Sequence, residues 1–495
     1  MRGVRVLRWV LLPLLLGLAA PALADAPAAP PASLQAQVDA ALAAAPKGTR
    51  FGLLVVDEAG KVIVSINPDQ RFIPASNTKM FTTAAAMALL PGMDKPDVTG
   101  GTQVGFSPGK PKGAPDVTLT GRGDARMSSA NDCKVDCLAT LADAVAVKTK
   151  VVGDVIGDDT LFPDERWSQG MSWNNIQTED GTAAGALNLD DNELKIAVSP
   201  GLLGHPPIVS FNGFYTLIND AHTVPAGNVL TLTLERTPGG KELRLYGEIP
   251  ADAQEWQQWV GIDEPARYAA WTFKSMLEAR GVKVNGQALP RHRVTSDLDR
   301  PCEVCTSLKV TGDSRLVIAA LTPPSLGEDV KIINKVSQNL HAQVLFRRIG
   351  SEGGTGSNNW AIKAEQQLFD RANIPREGYD FSDGSGMSTY NRVSPRAAVT
   401  LLRWIATQPW GKAWYASLPI AGVDGTLRKR FIGTPLAGNL IAKTGTLNAT
   451  NALSGNLRAA SGRTLTFAFF ANDVPDGQSA VPAMEAVLLL IAASN

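Results

Sequence analysis

The sequence is poor in histidine and cysteine, and its charge is balanced. Only 4 of its 495 residues are histidine and 4 are cysteine, while 47 basic residues stand against 47 acidic ones. The histidines are scattered, and none lies in a metal-protease motif or a serine-elbow motif, so neither a metal site nor histidine-based catalysis is indicated. The balanced charge gives no indication of a nucleic acid or an anionic membrane as partner.

Long apolar runs are equally scarce, and the one that exists stands near the N-terminus. Three arginines precede WVLLPLLLGLAA, and Ala22–Ala24 supplies small residues at the spacing of a cleavage site. This pattern predicts a secretory signal over residues 1–24 and a mature chain that starts near Asp25. An uncleaved anchor is the alternative, but the apolar core is short for spanning a bilayer. We therefore expect an exported protein of the periplasm, with at most peripheral membrane contact.

The four cysteines fall into two close pairs, Cys133 with Cys137 and Cys302 with Cys305. In an oxidising compartment such pairs predict local disulfides. A four-thiolate zinc site has plausible spacing, but export argues against it. A redox pair at Cys302–Cys305 would need a βαβ setting, which RPCEVCTSLKV does not suggest.

The secondary structure that the sequence predicts changes twice along the chain. A hairpin pattern around Asp57–Gly60 and a helical run precede residue 95, and short strands with Gly and Pro punctuation then continue to about residue 296. Helical segments return after residue 300, followed by three strand-like segments and a final apolar helix. The sequence thus predicts an α/β (α+β) multidomain protein in which a β-rich insert interrupts another domain.

A serine and a lysine stand three positions apart at the start of a helical run, SNTKMFTTAAAMALL, which places Ser76 and Lys79 on one face of the helix. A serine becomes a nucleophile only with a base beside it. The same S-x-x-K pattern occurs at Ser107–Lys110, where Pro108 and Gly109 preclude a regular helix. The alternative for the first pair is a helix cap followed by an exposed lysine.

A second element, Lys443–Thr444–Gly445–Thr446, occurs once, in the strand-like segment NLIAKTGTLNA. The glycine allows a substrate backbone to approach the strand closely, while the lysine and the threonines offer a cation and hydroxyls to a carboxylate. The alternative is an edge strand that carries a solubilising lysine.

A third element, S-x-N, is a weak signal because it occurs seven times. Chain order excludes the copies outside the interval between the Ser76 helix and Lys443. Among the rest, only Ser337–Gln338–Asn339 lies in a helix-rich part of the returning domain, so we select it. The alternative is a polar patch on a helix surface.

The three elements, in this order, make up the motif set of penicillin-binding proteins and β-lactamases. The sequence resembles the low-molecular-mass (class C) penicillin-binding proteins, and most of all the D-alanyl-D-alanine carboxypeptidase/endopeptidase family with a long insert. GRGDARM, VSQNLHAQ, DGSGMSTYNRVSP and AGVDGTLRKRF carry this closer resemblance.

The resemblance implies a particular division of the chain. A transpeptidase-like catalytic domain with an antiparallel sheet and helices would comprise residues 25–95 and 297–495. One inserted domain would comprise residues 96–186 and 262–296, and another would comprise residues 187–261.

The resemblance also implies a mechanism without metal or organic cofactor. Ser76 would attack the carbonyl between two terminal D-alanines and form an acyl-enzyme, which β-lactams would form as well. Lys79 would take the serine proton, although the identity of the base is disputed in this superfamily. Ser337 would relay a proton to the leaving amine, and Asn339 would hold the peptide and Lys79.

The remaining predicted contacts bind the peptidoglycan stem peptide. Lys443 and Thr444 would hold its terminal carboxylate, and the backbone N–H groups of Ser76 and Thr446 would form an oxyanion hole. The resemblance further implies an acid that grips the amine of a diaminopimelate side chain, for which Asp159 is selected against the alternative of a turn aspartate. Two other functions stay open, a β-lactamase and a non-catalytic peptidoglycan-binding protein of the same fold, as does the choice between carboxypeptidase and endopeptidase cleavage.

Overall fold

The computed structural model describes residues 33–109, 113–301 and 316–495. The predicted signal segment, Lys110 and the pair Cys302–Cys305 lie outside these residues. In the described part of the chain, no helix has both the length and the apolar character needed to cross a membrane.

The helices of the described residues, in chain order, are α1 (Leu34–Ala43), α2 (Thr78–Leu89), α3 (Leu138–Lys148), α4 (Pro265–Ala279), α5 (Leu326–Lys335), α6 (Asn339–Glu352), α7 (Asn358–Arg371), α8 (Pro395–Ala406), α9 (Gly411–Ala416) and α10 (Val481–Ala493).

The strands of the same residues are β1 (Arg50–Val56), β2 (Val62–Ile66), β3 (Gln103–Ser107), β4 (Asp116–Thr120), β5 (Val151–Val152), β6 (Val155–Pro163), β7 (Glu193–Ser199), β8 (Ile208–Ser210), β9 (Thr216–Asn219), β10 (His222–Val224), β11 (Thr233–Arg236), β12 (Glu242–Tyr246), β13 (Glu248–Pro250), β14 (Trp256–Gly261), β15 (Lys283–Val284), β16 (Ala288–Arg293), β17 (Leu316–Ala320), β18 (Tyr379–Asp380), β19 (Arg392–Val393), β20 (Leu440–Leu447), β21 (Thr450–Arg458) and β22 (Thr464–Asn472).

The principal sheet joins the two ends of the described chain. Its five strands run in the order β2-β1-β22-β21-β20, all antiparallel. The hairpin predicted around Asp57–Gly60 is β1–β2, and the three strand-like segments near the C-terminus are β20, β21 and β22. The predicted fold class of an α/β (α+β) protein with an antiparallel sheet and helices is confirmed.

The central strand β22, TLTFAFFAN, is apolar along most of its length because helices cover both faces of the sheet. Phe467 and Phe469 belong to the core formed with α1 and α10, while Ala468 and Phe470 belong to the core formed with α2 and α8. Since side chains alternate along a strand, consecutive residues serve opposite cores. This arrangement packs α8 directly against the sheet, and the alanine-rich helix α2, a strong helix former, belongs to the same core.

The insert has its own apolar core, which draws on residues between Val104 and Leu321. It packs around a mixed five-stranded sheet in the order β16-β6-β4-β3-β17. Strand β17 (Leu316–Ala320) returns to this sheet by pairing with β3, so the sheet extends past residue 297, where we predicted the catalytic domain to resume. The domain boundaries remain predictions.

Buried polar contacts fasten the insert to the helices of the other domain. Arg347 on α6, only 1% exposed, donates hydrogen bonds to the carbonyl oxygens of Pro163 and Glu165. His341, also on α6, lies between Asp191 of the insert and Asp329 of α5, at 2.9 Å and 3.2 Å. Burial lowers the pKa of His341, but the hydrogen bonds to both carboxylates outweigh that effect and raise it to about 9.

The two cysteines that the structure describes are bonded to each other, Cys133 to Cys137. This agrees with the disulfide predicted for that pair. The four-thiolate zinc site considered as an alternative is therefore not formed by these two residues.

Phe81 provides a test of how the core supports the site, because its ring lies on α2, two residues after Lys79. It is fully buried and packs against Phe369 and Phe381, with ring centroids 5.4 Å and 5.0 Å away. Phe81→Ala should lower the free energy of unfolding by about 3–5 kcal/mol, measured by urea denaturation. The control Val98→Ala, at a side chain 77% exposed, should change it by less than about 0.5 kcal/mol. Equal effects of the two variants would contradict this account.

Candidate active site

Ser76 lies in a single 3-10 turn, Ala75–Asn77, that leads directly into α2. Its hydroxyl oxygen is 2.8 Å from the nitrogen of Lys79, one turn further along. Lys79 is completely buried, so the alternative of an exposed surface lysine is wrong. The side chain of Asn77 fixes this turn to the principal sheet by donating to the carbonyl oxygen of Lys443 at 3.0 Å.

The nitrogen of Lys79 has three partners from three parts of the chain. It lies 2.6 Å from Oδ1 of Asn339 and 2.6 Å from the carbonyl oxygen of Ser385, in addition to Ser76. Burial lowers its pKa to about 7, and the charges of Asp383 and Asp180 oppose that shift. Lys79 therefore exchanges between ammonium and neutral amine near neutral pH, and the neutral form can accept a proton.

Ser337 and Asn339 lie at the junction between α5 and α6. Ser337 has a φ of +67°, which is unfavourable for a residue that carries a side chain. Its hydroxyl accepts a hydrogen bond from Lys443 at 2.9 Å. Asn339 begins α6, and its amide group contacts Lys79 through the oxygen and Asp180 through the nitrogen. The S-x-N segment selected by chain order thus lies beside both lysines.

Lys443 is fully buried on β20, and its nitrogen donates to Ser337 and to the carbonyl oxygen of Thr444. Burial and the neighbouring Lys79 hold its pKa well below the usual range for lysine. Two amines in one buried place oppose each other's protonation.

The surroundings of Gly445 require a residue without a side chain at this position of β20. A Cβ at this position would lie 2.7 Å from the carbonyl oxygen of Pro74 and 3.1 Å from the backbone nitrogen of Ser76. Strand β20 therefore passes directly against the turn that carries the serine, and the contact leaves no room for a methyl group.

These groups open onto one cleft of about 660 Å³. Ser76, Ser337 and Asn339 line it together with Thr444–Thr446, and Asn175 and Asp180 of the insert complete the opposite side. The structure thus brings together residues that are up to 370 positions apart in the chain.

Two contributors to the site were missed as individual residues. The loop DGSGMS, noted only as a stretch of resemblance, provides the carbonyl oxygen of Ser385 that Lys79 contacts. Asp383 holds this loop by accepting from Gly386 N, Ser388 N and the Ser385 hydroxyl. Asp180 was missed because its segment showed no pattern, and only the fold brings it to Asn339.

Asp159 is a correction to the prediction. Its carboxylate is buried in the insert and lies 2.8 Å from Nδ1 of His292, and Asp159 is not among the described residues that line the cleft. Hydrogen bonds to Asp159 and Glu264 raise the pKa of His292 to about 10, so an imidazolium already neutralises this acid. The position is that of an internal ion pair rather than a grip for a substrate amine.

The fold and the network around Ser76 define a class, the serine-type enzymes that penicillins acylate. Within that class the chain belongs to the D-Ala-D-Ala carboxypeptidase 3 (S13) family, which it matches over residues 34–493. The protein is accordingly a serine peptidase, that is, a hydrolase.

Known relatives agree with this family. The chain is 32% identical over 501 residues to a D-alanyl-D-alanine carboxypeptidase of Actinomadura sp. (strain R39), covering 97% of this chain and 88% of the relative. It is 24% identical over 447 residues to the D-alanyl-D-alanine carboxypeptidase DacB of Haemophilus influenzae, covering 87% of each. The crystal structure of penicillin binding protein 4 from Haemophilus influenzae has the same fold, with a TM-score of 0.76 at 21% identity over 92% of this chain and 97% of that one.

Gly445→Ala tests the contact between β20 and the serine turn. The added methyl group must displace Ser76 or the strand, so the second-order rate constant for acylation by a penicillin should fall about 100-fold. Stopped-flow or gel-based acylation measures this constant. Gly353→Ala is the control, because a Cβ there meets nothing within 4 Å, and it should leave the rate unchanged. An unaffected rate in Gly445→Ala would refute the close packing.

Proposed function

We propose that this protein removes the terminal D-alanine from peptidoglycan stem peptides, and cuts D-alanyl cross-links, through an acyl-enzyme on Ser76. The observation that carries the proposal is the 2.8 Å contact between the Ser76 hydroxyl and the buried nitrogen of Lys79. It supports a serine activated by a lysine, since no histidine belongs to the described network around Ser76.

Acylation begins when the Ser76 oxygen attacks the carbonyl carbon of the penultimate D-alanine, while the hydroxyl proton passes to neutral Lys79. The negative charge that develops on the carbonyl oxygen is stabilised by the backbone N–H groups of Ser76 and Thr446. The C–N bond then breaks, and the leaving amine takes a proton through the Ser337 hydroxyl. Water hydrolyses the ester and regenerates Ser76.

The other residues position these groups. Asn339 orients Lys79 and the substrate peptide, and Thr444 with Gly445 forms the strand along which the peptide lies. Lys443 acts through Ser337, because its nitrogen donates a hydrogen bond to that hydroxyl. Asp180, rather than Asp159, is the carboxylate that would face an amine on the stem peptide, since it lines the cleft.

Export to the periplasm completes the proposal. The signal pattern over residues 1–24 supports it, as does the Cys133–Cys137 disulfide, which is characteristic of an oxidising compartment. Peptidoglycan lies outside the cytoplasm, so the substrate requires the same location. Cell fractionation with detection of the processed chain tests this; a cytoplasmic, unprocessed protein would contradict it.

Ser76→Ala should abolish both the penicillin adduct and D-alanine release, because no oxygen nucleophile remains. Mass spectrometry of the intact protein after penicillin treatment should show one added penicillin on the wild-type protein and none on the variant. Ser107→Ala is the matched control at the second S-x-x-K, and it should keep the adduct. An adduct on Ser76→Ala would refute the assignment, and no adduct on the unmodified protein would favour a non-catalytic binding protein.

The lifetime of that adduct separates the two enzymatic possibilities. A D-Ala-D-Ala peptidase holds the penicilloyl ester for many minutes, whereas a β-lactamase releases it at once and consumes penicillin continuously. Digestion of a purified pentapeptide and of cross-linked muropeptides then measures how far carboxypeptidase or endopeptidase cleavage dominates.

The pKa of Lys79 predicts how acylation depends on pH. Because burial lowers this pKa to about 7, the neutral amine is present above that value and is lost as the pH falls through it. The rate constant for penicillin acylation should therefore fall about tenfold per pH unit below pH 7. Rates from pH 5 to 9, with far-UV circular dichroism as a check on folding, measure the profile. A rate that stays flat down to pH 5 would exclude Lys79 as the base.

A further inference from the structure

The cleft holds one acid and one base, on opposite sides. Asp180 lies beside Asn339 on the side formed by the insert. Arg430 lies on the side formed by β20, and it is the one basic side chain that lines the cleft within the described residues. Lys443 is not such a side chain, because it is fully buried with its nitrogen directed to Ser337 and to the strand's own carbonyl group.

Arg430 lines the same cleft as the hydroxyls that are expected to receive a carboxylate. It follows by four residues Thr426, which also lines the cleft and whose hydroxyl is 2.7 Å from that of Thr444. Glu485 on α10 anchors the guanidinium, because it accepts a hydrogen bond from Nε of Arg430 at 2.5 Å. The side chain is 20% exposed, so it reaches the solvent of the cleft.

Not every N–H group of the Arg430 guanidinium has a hydrogen-bond partner in the described residues. Nη2 of Arg430 is buried and has no hydrogen-bond partner in the described part of the chain. An unpaired N–H group in such a place is unfavourable, and it becomes available to an anion in the cleft when the guanidinium turns. A guanidinium binds a carboxylate by parallel hydrogen bonds in a fixed plane, which an ammonium cannot do.

We propose that Arg430 is the cation that recognises the carboxylate of the D-residue leaving from the scissile bond, together with the hydroxyls of Thr444 and Thr426. This inference rests on the proposed function and assigns a substrate contact that the motif set had given to Lys443. The same carboxylate is present on a terminal D-alanine and on a cross-linked D-centre. Arg430 therefore serves both cleavage reactions and selects against neutral C-termini.

The test compares two substrates that differ only in the recognised group. One is a peptide that ends in D-Ala-D-Ala with a free carboxylate, and the other is the same peptide ending in D-alaninamide. Arg430→Gln should lower kcat/KM for the acid by about 10- to 100-fold, and for the amide by less than about threefold, so the ratio of acid to amide collapses. Arg430→Lys should recover part of the ratio, because the charge returns without the planar fork.

Two further variants separate recognition from simple structural or electrostatic effects. Lys429→Gln removes the same charge from the neighbouring exposed position and should keep the ratio of the unmodified protein. Glu485→Gln weakens the contact that fixes Arg430 to α10, so it should lower the ratio, but less than Arg430→Gln does, because the guanidinium remains. Complete titration of Ser76 by penicillin after long incubation shows that each variant retains a folded pocket.

An unchanged ratio in Arg430→Gln would overturn the inference, and so would an equal collapse in Lys429→Gln. These results differ from a failure of the proposed function itself, in which the unmodified protein releases no D-alanine from either peptide.

Discussion

The buried nitrogen of Lys79 is the point on which the whole arrangement depends. It joins the serine turn, the start of α6 and the DGSGMS loop through three contacts of 2.6–2.8 Å. An amine removed from water needs such partners, because burial without them is strongly unfavourable. The partners hold the lysine in place, and the burial lowers its pKa to the range where it can exchange a proton. One constraint thus accounts for both the geometry and the reactivity that the site requires.

The surrounding elements hold the hydrogen-bond partners of this buried amine in place. Strand β20 closes one side through the Gly445 contact with the serine turn, and Ser337 adopts a positive φ at the other side. Backbone strain of this kind persists when the neighbouring structure over-determines it. The insert contributes as well, since Asp180 contacts Asn339 and Asp191 contacts His341, two residues further along α6. The position of Asn339 therefore depends on the insert as much as on its own helix.

Local pattern was sufficient to predict the parts of the site that are defined by their own segment. The helical context of Ser76 distinguished it from Ser107, and the strand context of Lys443 was visible in the strand-like segment NLIAKTGTLNA. Ser337 needed chain order in addition, because S-x-N alone does not discriminate. The principal sheet and its flanking helices were predictable for the same reason, as their hydrophobic periods are regular.

Contacts between distant segments could not be predicted in this way. Asp159 resembles an accessible turn acid in sequence, yet it pairs with His292 across neighbouring strands β6 and β16, which only the folded sheet reveals. Asp180 and Arg430 reach the cleft through tertiary packing. Arg430 stands in the segment AGVDGTLRKRF, but no motif marks it as a site residue. Charge neutralisation inside a fold depends on which strands become neighbours, and composition carries little information about that.

The packing of β20 against the serine turn has a consequence for the timing of activity. The serine is made early in synthesis, but β20, the strand that packs against it, is added only near the end of the polypeptide. Loop closure over such a separation is slow compared with local helix formation. A chain whose C-terminal part is not yet made therefore carries an inactive hydroxyl at Ser76, and hydrolytic competence arises only when the principal sheet is complete.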